Sequence, residues 1–259
     1  MRGATLACSK YRVCLVHAIH GVSSVHAWYT VVTGANKGIG FETVRKLASK
    51  GIVVVLAARD EKRGLEALQK LQHMIGLLDH VVFHQLDTFK TQFRKLDILV
   101  NNAGTTGAII DYHALIFTET YELTEECIQT NYCGAKRMAD SLIPLLQLSD
   151  SPRIVNVSSY AGKSGCTHEF LKDFKEGYLE TKGWPPHMSA AYRVSKTALN
   201  AYTIVLAKRY PSFVKTDMNN NNGALSLEEG AANLVRYLAL LPNGGPSGLF
   251  FIQQEVSPF

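Results

Sequence analysis

The sequence predicts an α/β domain with a doubly wound parallel sheet. Three observations predict it: short apolar runs alternate with helical patterns, several runs are apolar throughout, and a glycine-rich turn follows the first run. A parallel sheet is covered by helices on both faces, so its strands are near-continuous apolar segments. No linker or repeat interrupts the alternation, and a chain of 259 residues fits one such domain.

The strands and helices can be placed along the chain in order. Strands are expected at Trp28–Thr33, Ile52–Ala58, Val81–Leu86, Asp97–Asn101, Arg153–Ser158 and Gly248–Ile252. Helices are expected from the glycine turn to Gly51, after an N-cap at Asp60, from about Thr118 towards Leu148, over Ala190–Tyr210, and after a capping box at Ser226–Glu229.

Composition excludes several classes of protein. Apolar residues make up 46 % and charged residues 19 %, which is too apolar for a disordered chain. The net charge of +5 is scattered, so a nucleic-acid interface is not expected, and no apolar run is long enough to span a membrane. Five cysteines without a CxxC pair argue against disulfides and against a cysteine-rich metal site. Free thiols are typical of a reducing compartment, so we expect a cytoplasmic protein.

The first 26 residues do not match the rest of the chain. No acidic residue precedes Glu42, while Arg2, Lys10 and Arg12 are basic. This segment is interpreted as a leader without a role in the fold, and organelle targeting is the alternative. The domain is therefore expected to cover residues 27–259.

The glycine-rich turn indicates a dinucleotide site. A strand, the turn GANKGIG and a helix follow one another, with glycines at Gly34, Gly38 and Gly40. Glycines let the backbone approach a pyrophosphate, whose charge is bound by free N–H groups at the start of the helix. The context predicts a Rossmann-like turn, with Asn36, Lys37 and Ile39 also contacting the cofactor.

The residue that follows the second strand favours NADP(H) over NAD(H). An acidic residue at this place binds a ribose 2′-hydroxyl, whereas a cation suits a 2′-phosphate. Here the residue is Arg59, and Lys37 adds a second cation. The alternative is that Arg59 is a solvated residue paired with Asp60 or Glu61.

A tyrosine and a lysine four residues apart indicate proton transfer. Tyr192 and Lys196 share one face of the predicted helix, so the ammonium group can stabilise the phenolate and lower the tyrosine pKa. Ser158 and Ser159 end the fifth strand, at the sheet edge where ligands of α/β proteins bind, and their hydroxyls can hold a carbonyl oxygen.

With these motifs the sequence resembles the short-chain dehydrogenase/reductase family. The matching residues are TGANKGIG (Thr33–Gly40), Asp87, NNAG (Asn101–Gly104), Asn131, Ser158–Ser159 and the pair Tyr192/Lys196. The segments IVNVSS, WPPHMSAAYRVSKTALNAYT and GPSGLFF are similar to a plant monomeric branch of that family. The resemblance covers about Trp28–Phe259.

The resemblance implies a role for each matched residue. Tyr192 would protonate the carbonyl oxygen, Lys196 would lower its pKa and bind the nicotinamide ribose, and Ser159 would orient the carbonyl. Asn131 would hold a water that relays protons through Lys196. Cofactor contacts would come from Asp87, Asn102, Ala103, Gly104 and Thr216. A structural role remains open for Asn101, Asn102 and Asn131, which could tie strand ends or lie inside a helix.

Two segments are shorter than in the family. Only Thr88–Leu96 links Asp87 to the fourth strand, although a parallel crossover with its helix needs at least about 10–12 residues. Only Ser212 and Phe213 separate Pro211 from Val214, where the family has a sixth strand. We therefore expect the sheet to lack its sixth strand, the last strand to move inward or hang free, and Thr216 to be misplaced.

The segment between Ser159 and Tyr192 carries an insertion whose residues Glu169–Lys175 form an amphipathic pattern. In the plant branch this insertion covers the surface used elsewhere for dimerisation, which implies a monomer.

The predicted function is NADPH-dependent reduction of a small apolar ketone, terpenoid- or alkaloid-like. The alternative is a protein that binds the cofactor but is catalytically impaired.

Overall fold

The chain forms the predicted α/β domain. The computed structural model describes residues 28–74, 80–85, 95–111, 116–163, 170–179, 181–182, 190–210, 214–218, 226–239, 247, 250–252 and 255–257. The leader, Asp87 and the shortened crossover after the third strand, apart from Lys95 and Leu96, lie outside these residues.

The strands are β1 (Tyr29–Thr33), β2 (Val53–Ala58), β3 (Val81–Gln85), β4 (Ile98–Asn101), β5 (Ile109–Asp111), β6 (Ile116–Thr118), β7 (Arg153–Ser158), β8 (Val214–Met218), β9 (Phe250–Ile252) and β10 (Glu255–Ser257). The helices are α1 (Gly38–Ala48), α2 (Glu61–Gln72), α3 (Tyr121–Ile128), α4 (Ala135–Leu146), α5 (Phe170–Glu176), α6 (Ala190–Arg209) and α7 (Leu227–Ala239). One π-helical turn, Gln129–Gly134, joins α3 to α4.

The main sheet has the order β3-β2-β1-β4-β7-β8-β9-β10. All neighbours pair in parallel except β9 and β10, which are antiparallel. The strand order reverses between β1 and β4, and such a switch point is where doubly wound sheets bind ligands at the carboxyl ends of their strands.

Two apolar clusters bury the two faces of the sheet. One cluster joins strand residues to Leu47 of α1, Leu71 of α2 and Leu234 of α7. The other joins them to Leu142 of α4 and Leu206 of α6. Helices therefore cover both faces, which explains why β2 is buried along its whole length and reads as an unbroken apolar run.

The expected local signals form as predicted. The Asp60 side chain accepts a hydrogen bond from the backbone N–H of Arg63 at 2.9 Å and caps α2. Ser226 and Glu229 form the reciprocal capping box of α7, with distances of 2.7 and 3.2 Å. Gly51 follows α1 with φ +77°, a conformation that favours glycine. The insertion helix forms as α5.

The expectation of a missing sixth strand is wrong. Val214–Met218 form β8, which pairs in parallel with β7 from Ile154↔Val214 to Ser158↔Met218. The last strand neither moves inward nor hangs free, because β9 pairs with β8. The physical reason is that β7 is fully buried, so an unpaired edge would leave backbone N–H and C=O groups without partners. The short segment after Pro211 satisfies them.

Three further features were not predicted. The long helix expected from Thr118 to Leu148 is two α-helices separated by the π-helical turn. A two-stranded ribbon, β5 with β6, precedes it, and β10 extends the edge of the main sheet. Within the described part of the chain, no helix is both long and apolar enough to cross a membrane.

Candidate functional site

A single groove contains most of the predicted cofactor residues. It runs along the carboxyl ends of β1, β2 and β4 and has a volume of about 1370 Å³. Its lining includes Thr33, Gly34, Asn36, Lys37, Gly38, Arg59, Asp60, Arg63, Asn101, Asn102, Ala103, Gly104, Thr105, Glu126, Gln129, Thr130, Gly134, Ala135, Arg137, Met138 and Ser141. The groove lies at the topological switch point, as expected for a dinucleotide site.

The glycine turn requires its glycines for two separate reasons. Gly34 and Gly38 have φ values of +63° and +61°, which side chains rarely adopt. A Cβ on Gly34 would also lie 2.7 Å from the Ala103 Cα, and one on Gly40 would lie 2.6 Å from the Gly34 carbonyl oxygen. The turn is therefore packed against the residues after β4, and its backbone forms the floor of the groove.

The start of α1 fits an anion. Lys37 occupies the N-cap position in an extended conformation, its side chain makes no capping hydrogen bond, and the first turn of α1 contains no acidic residue. The first N–H groups of a helix have no partner within the helix and carry its positive dipole end. They are available for a phosphate group here.

Thr33 and Asn102 hold the turn in place. The Thr33 hydroxyl accepts hydrogen bonds from the backbone N–H groups of Asn102 and Ala103, both at 3.0 Å. The Asn102 amide donates to the carbonyl oxygens of Thr33 and Gly34 at 3.0 and 3.3 Å. The structural role left open for Asn102 is therefore present, although the residue also lines the groove.

The amide nitrogen of Asn101 has a purely internal role. It donates to the Asn156 side chain at 2.8 Å, and Asn156 in turn donates to the Thr203 hydroxyl at 2.8 Å. This buried chain of hydrogen bonds connects β4, β7 and α6. It fixes the helix that carries Tyr192 and Lys196 against the sheet.

Cationic side chains border the groove, among them Lys37, Arg59 and Arg63. Arg59 follows β2, and its guanidinium lies 3.3 and 3.4 Å from the Glu126 carboxylate of α3. Arg63 lies 3.6 Å from Asp60. Arg59 was expected to face either a phosphate or its neighbours Asp60 and Glu61, and the pair with Glu126 was not foreseen. Arg63 and Glu126 were not predicted as groove residues.

Tyr192 and Lys196 lie together near the start of α6. The Lys196 Nζ is 5.5 Å from the centroid of the Tyr192 ring. Tyr192 is partly exposed, whereas Lys196 is only 3 % exposed. The spacing of four residues thus places the ammonium group beside the phenol, as expected from the sequence.

The Lys196 ammonium group is held at the sheet edge. Its Nζ donates to the Val157 carbonyl oxygen at 2.8 Å, and this is its one hydrogen-bond acceptor among the described residues. Burial lowers the lysine pKa to about 8. The group therefore remains largely protonated at neutral pH, with two N–H donors left for a ligand.

Asn131 lies in the π-helical turn, and both the nitrogen and the oxygen of its side-chain amide are hydrogen-bonded within the protein. The nitrogen donates to the Thr105 carbonyl oxygen at 3.0 Å and to the Ser195 hydroxyl at 2.9 Å, while the oxygen accepts from the Thr105 N–H at 2.8 Å. The Ser195 hydroxyl then donates to the Tyr192 carbonyl oxygen at 2.7 Å. Asn131 therefore connects the segment after NNAG to the helix turn that carries Tyr192.

Cys127 completes this buried cluster, and its thiol lies 3.3 Å from the Thr105 carbonyl oxygen and 3.7 Å from the Ser195 hydroxyl. Burial raises the pKa of this thiol to about 11, so it stays protonated. Thr105, Cys127 and Ser195 were missed from the sequence. For two of them the sequence carried a signal. Cys127 precedes the predicted site residue Asn131 by one helical turn, and Ser195 directly precedes Lys196.

The two serines after β7 have different surroundings. The Ser158 hydroxyl donates to the Lys196 carbonyl oxygen at 3.4 Å, so it points to the helix. The Ser159 hydroxyl accepts from the Ala161 N–H at 3.2 Å, which leaves its own proton available. This arrangement favours Ser159 as the serine that contacts a ligand.

The remaining predicted residues are placed only in part. Gly104 lies at the site, because a Cβ there would be 3.3 Å from the Asn131 amide oxygen and 3.6 Å from the Lys196 Nζ. Thr216 is in register with Asn156, one strand further along the sheet. Ile39 packs on the core rather than lining the groove. The described residues contain no group of three or more acidic, histidine or cysteine side chains that fits a metal ion.

The groove and the side chains next to it fit a nicotinamide dinucleotide. At one end, the glycine turn and the start of α1 offer backbone N–H groups and nearby cations to phosphates. Tyr192 and Lys196 are not lining residues of the groove, but Lys196 lies beside its lining residue Gly104 and retains two N–H donors next to the Tyr192 ring.

Comparison with known proteins gives matches over most of the chain. The short chain dehydrogenase family model matches residues 29–170. A (+)-neomenthol dehydrogenase from Capsicum annuum is 46 % identical over 307 residues, covering 89 % of this chain and 97 % of that protein. Salutaridine reductase from Papaver bracteatum is 44 % identical, covering 88 % and 95 %. The solved structure of menthone neomenthol reductase from Mentha piperita has a TM-score of 0.78 at 44 % identity, covering 88 % of this chain and 99 % of that one.

Proposed function

Because the chain belongs to the short-chain dehydrogenase/reductase family, whose members are oxidoreductases that use NAD(P)(H), we propose that it reduces small apolar ketones with NADPH. Its relatives are named for reactions on a terpenoid alcohol and on an alkaloid, and the proposed substrates belong to these two classes. The observation that carries the proposal is the phenol of Tyr192 beside the buried ammonium group of Lys196, which lies next to the groove residue Gly104.

In this reaction NADPH supplies a hydride to the carbonyl carbon. Tyr192 donates a proton to the carbonyl oxygen, and the positive charge of Lys196 stabilises the phenolate that remains. The Ser159 hydroxyl donates a hydrogen bond to the same oxygen and orients it. Lys196 would bind the nicotinamide ribose with its remaining N–H donors, and Asn131 holds the helix turn. A proton-relaying water at Asn131 is proposed on the resemblance alone.

The cofactor preference is supported by charge at the other end of the groove. Arg59 and Lys37 are cations beside the turn, and a 2′-phosphate binds cations where a 2′-hydroxyl binds a carboxylate. Asp87 and Thr216 are proposed cofactor contacts on the resemblance alone. The other proposed cofactor contacts are Gly34, Asn36, Lys37, Gly38, Ile39, Gly40, Asn102, Ala103 and Gly104.

A monomer in the cytoplasm is the proposed form of the protein. Its support is the packing of α5, whose Phe170 is buried against Cys127 and Ile128 of α3 and Val194 of α6. The insertion therefore covers a surface formed by these helices. Cys127 and Cys133 are free thiols, which suits a reducing compartment.

The test is NADPH oxidation by the wild-type protein with menthone and with salutaridine as ketones. NADPH binding is measured in parallel by fluorescence. Turnover of either ketone supports the proposal. NADPH binding without turnover of any ketone favours the alternative of an impaired protein, and absence of binding contradicts both. The expected loss of the sixth strand was the reason to consider an impaired protein, and β8 occupies that place beside β7.

A further inference from the structure

The Arg59–Glu126 ion pair connects two walls of the cofactor groove. Arg59 follows β2 and Glu126 lies on α3, 67 residues further along the chain, and both side chains line the groove. Two guanidinium nitrogens approach the same carboxylate oxygen at 3.3 and 3.4 Å. The side chains are 61 % and 49 % exposed, so solvent and ligands reach the pair.

We propose that Glu126 determines the margin by which the protein prefers NADPH over NADH, by competing with the 2′-phosphate for the Arg59 guanidinium. The inference rests on the proposed function, in which Arg59 binds that phosphate. Glu126 lies on α3, whereas Arg59 follows β2, and Glu126 acts on the cofactor through Arg59.

The competition follows from charge. A 2′-phosphate and a carboxylate are both anions that bind a guanidinium through charge-assisted hydrogen bonds. If both bind Arg59 at once, they repel each other across a few ångströms; if only one binds, the Arg59–Glu126 pair must break when NADPH enters. Either way, Glu126 weakens NADPH binding. NADH has a neutral hydroxyl at this position and is unaffected.

The size of the effect is limited by exposure. Exposed ion pairs contribute about 0.2–1 kcal/mol, which converts to a change in affinity of up to about fivefold. Glu126 therefore changes the preference for NADPH over NADH by a small factor, and NADPH still binds. Glu126→Gln keeps the shape of the side chain and removes its charge, so it isolates this contribution.

Glu125 provides a matched control. It is the preceding residue on the same helix, it is also an exposed glutamate, and it does not line the groove. Glu125→Gln therefore changes the net charge of the protein and of α3 by the same amount without contacting Arg59. Any long-range effect of charge on NADPH binding appears in both variants.

The experiment measures the Kd of NADPH and of NADH by fluorescence titration for the wild type, Glu126→Gln, Glu125→Gln and Arg59→Ala. We expect Glu126→Gln to bind NADPH tighter than Glu125→Gln does, by up to about fivefold, with an unchanged Kd for NADH. Equal NADPH affinities of the two glutamine variants would overturn the inference, as would an equal gain for both cofactors.

Arg59→Ala separates this outcome from failure of the proposed function. If Arg59→Ala weakens NADPH binding selectively while Glu126→Gln has no effect, the cofactor assignment holds and the role of Glu126 is rejected. If Arg59→Ala leaves NADPH binding unchanged, Arg59 does not bind the 2′-phosphate, and both the NADPH assignment and the inference are rejected.

Discussion

At the scale of single residues, the site depends on a buried positive charge. Lys196 is almost completely buried, and its pKa falls from 10.5 to about 8 because burial disfavours the charged form. The folded protein therefore holds this ammonium group at the expense of stability. We expect such a residue to be retained for its effect on Tyr192 rather than for folding.

The pH dependence of stability tests this burial. Because the folded pKa lies below the unfolded one, the unfolded state binds more protons between pH 8 and 10.5, and the wild-type free energy of unfolding gains from this group as pH rises through that window. Lys196→Met removes the gain. Measured by urea unfolding, the free energy of unfolding of the wild type should rise relative to that of Lys196→Met over this pH window, by at most about 3 kcal/mol.

The Cys127 thiol titrates in a neighbouring pH range, so its contribution has to be removed from this measurement. Its raised pKa has the opposite sign, since the folded state keeps the thiol proton above pH 9 and loses stability there. Because the charge of Lys196 also lowers the pKa of this thiol, both proteins are compared in a Cys127→Ala background, which removes the thiol contribution from the difference. Parallel stability profiles of wild type and Lys196→Met would contradict a buried, charged Lys196.

At this scale the sequence predicted the residues with motifs and missed those without them. The positions of Tyr192, Lys196 and Asn131 follow from spacing and from the family resemblance. The hydrogen bond from Asn131 to Ser195 joins two residues 64 positions apart, and no periodicity encodes such a contact. The pair of Arg59 with Glu126 was missed for the same reason.

At the scale of elements, the glycine turn is the part whose conformation is most restricted. Gly34 combines a positive φ with close packing against Ala103, whereas Gly51 has a positive φ and open space, with no atom within 4 Å of an added Cβ. A side chain at Gly34 would therefore suffer both backbone strain and steric overlap, whereas a side chain at Gly51 would suffer backbone strain alone. Both occur next to α1, one before it and one after it.

We expect Gly34→Ala to lower the free energy of unfolding by more than about 2 kcal/mol and to abolish dinucleotide binding, because strain and overlap add. Gly51→Ala should lower it by about 1–2 kcal/mol from strain alone and leave binding unchanged. Urea unfolding and fluorescence titration measure both effects. Equal losses in the two variants would show that packing against Ala103 is unimportant.

Most elements followed from local signals in the sequence. The N-cap at Asp60, the capping box at Ser226 and the apolar run of β2 each specify an element by short-range physics. The division of the long helix by a π-helical turn was not predicted; Asn131 in this turn bonds to Thr105, 26 residues earlier in the chain, and no local pattern shows that contact. Tertiary contacts decide such details.

At the scale of the whole molecule, the sheet continues past β7. The sequence comparison with the family suggested a gap after Pro211, but loop length alone does not show which residues pair with an open strand edge. β7 is buried and needs a neighbour, and Val214–Met218 provide it. The sheet therefore supports both the groove and the helix α6.

Hydrogen exchange tests the position of β8. The amides of Val214–Met218 that pair with β7 should exchange at least about a hundredfold more slowly than in an unstructured chain, because exchange requires opening of the sheet. The amides of β7 serve as the protected reference. Unprotected exchange in β8 beside a protected β7 would restore the expectation of a missing strand.

The central claim is that the Tyr192 phenol protonates the ketone while Lys196 stabilises the phenolate. The most direct test is the single-turnover rate of NADPH oxidation by Tyr192→Phe, with Tyr178→Phe as a control at an exposed tyrosine on the segment after α5. The account predicts a rate lower by about 10²–10⁴-fold in Tyr192→Phe, with folding and NADPH binding intact, and no change in the control. An unchanged rate in Tyr192→Phe would contradict it.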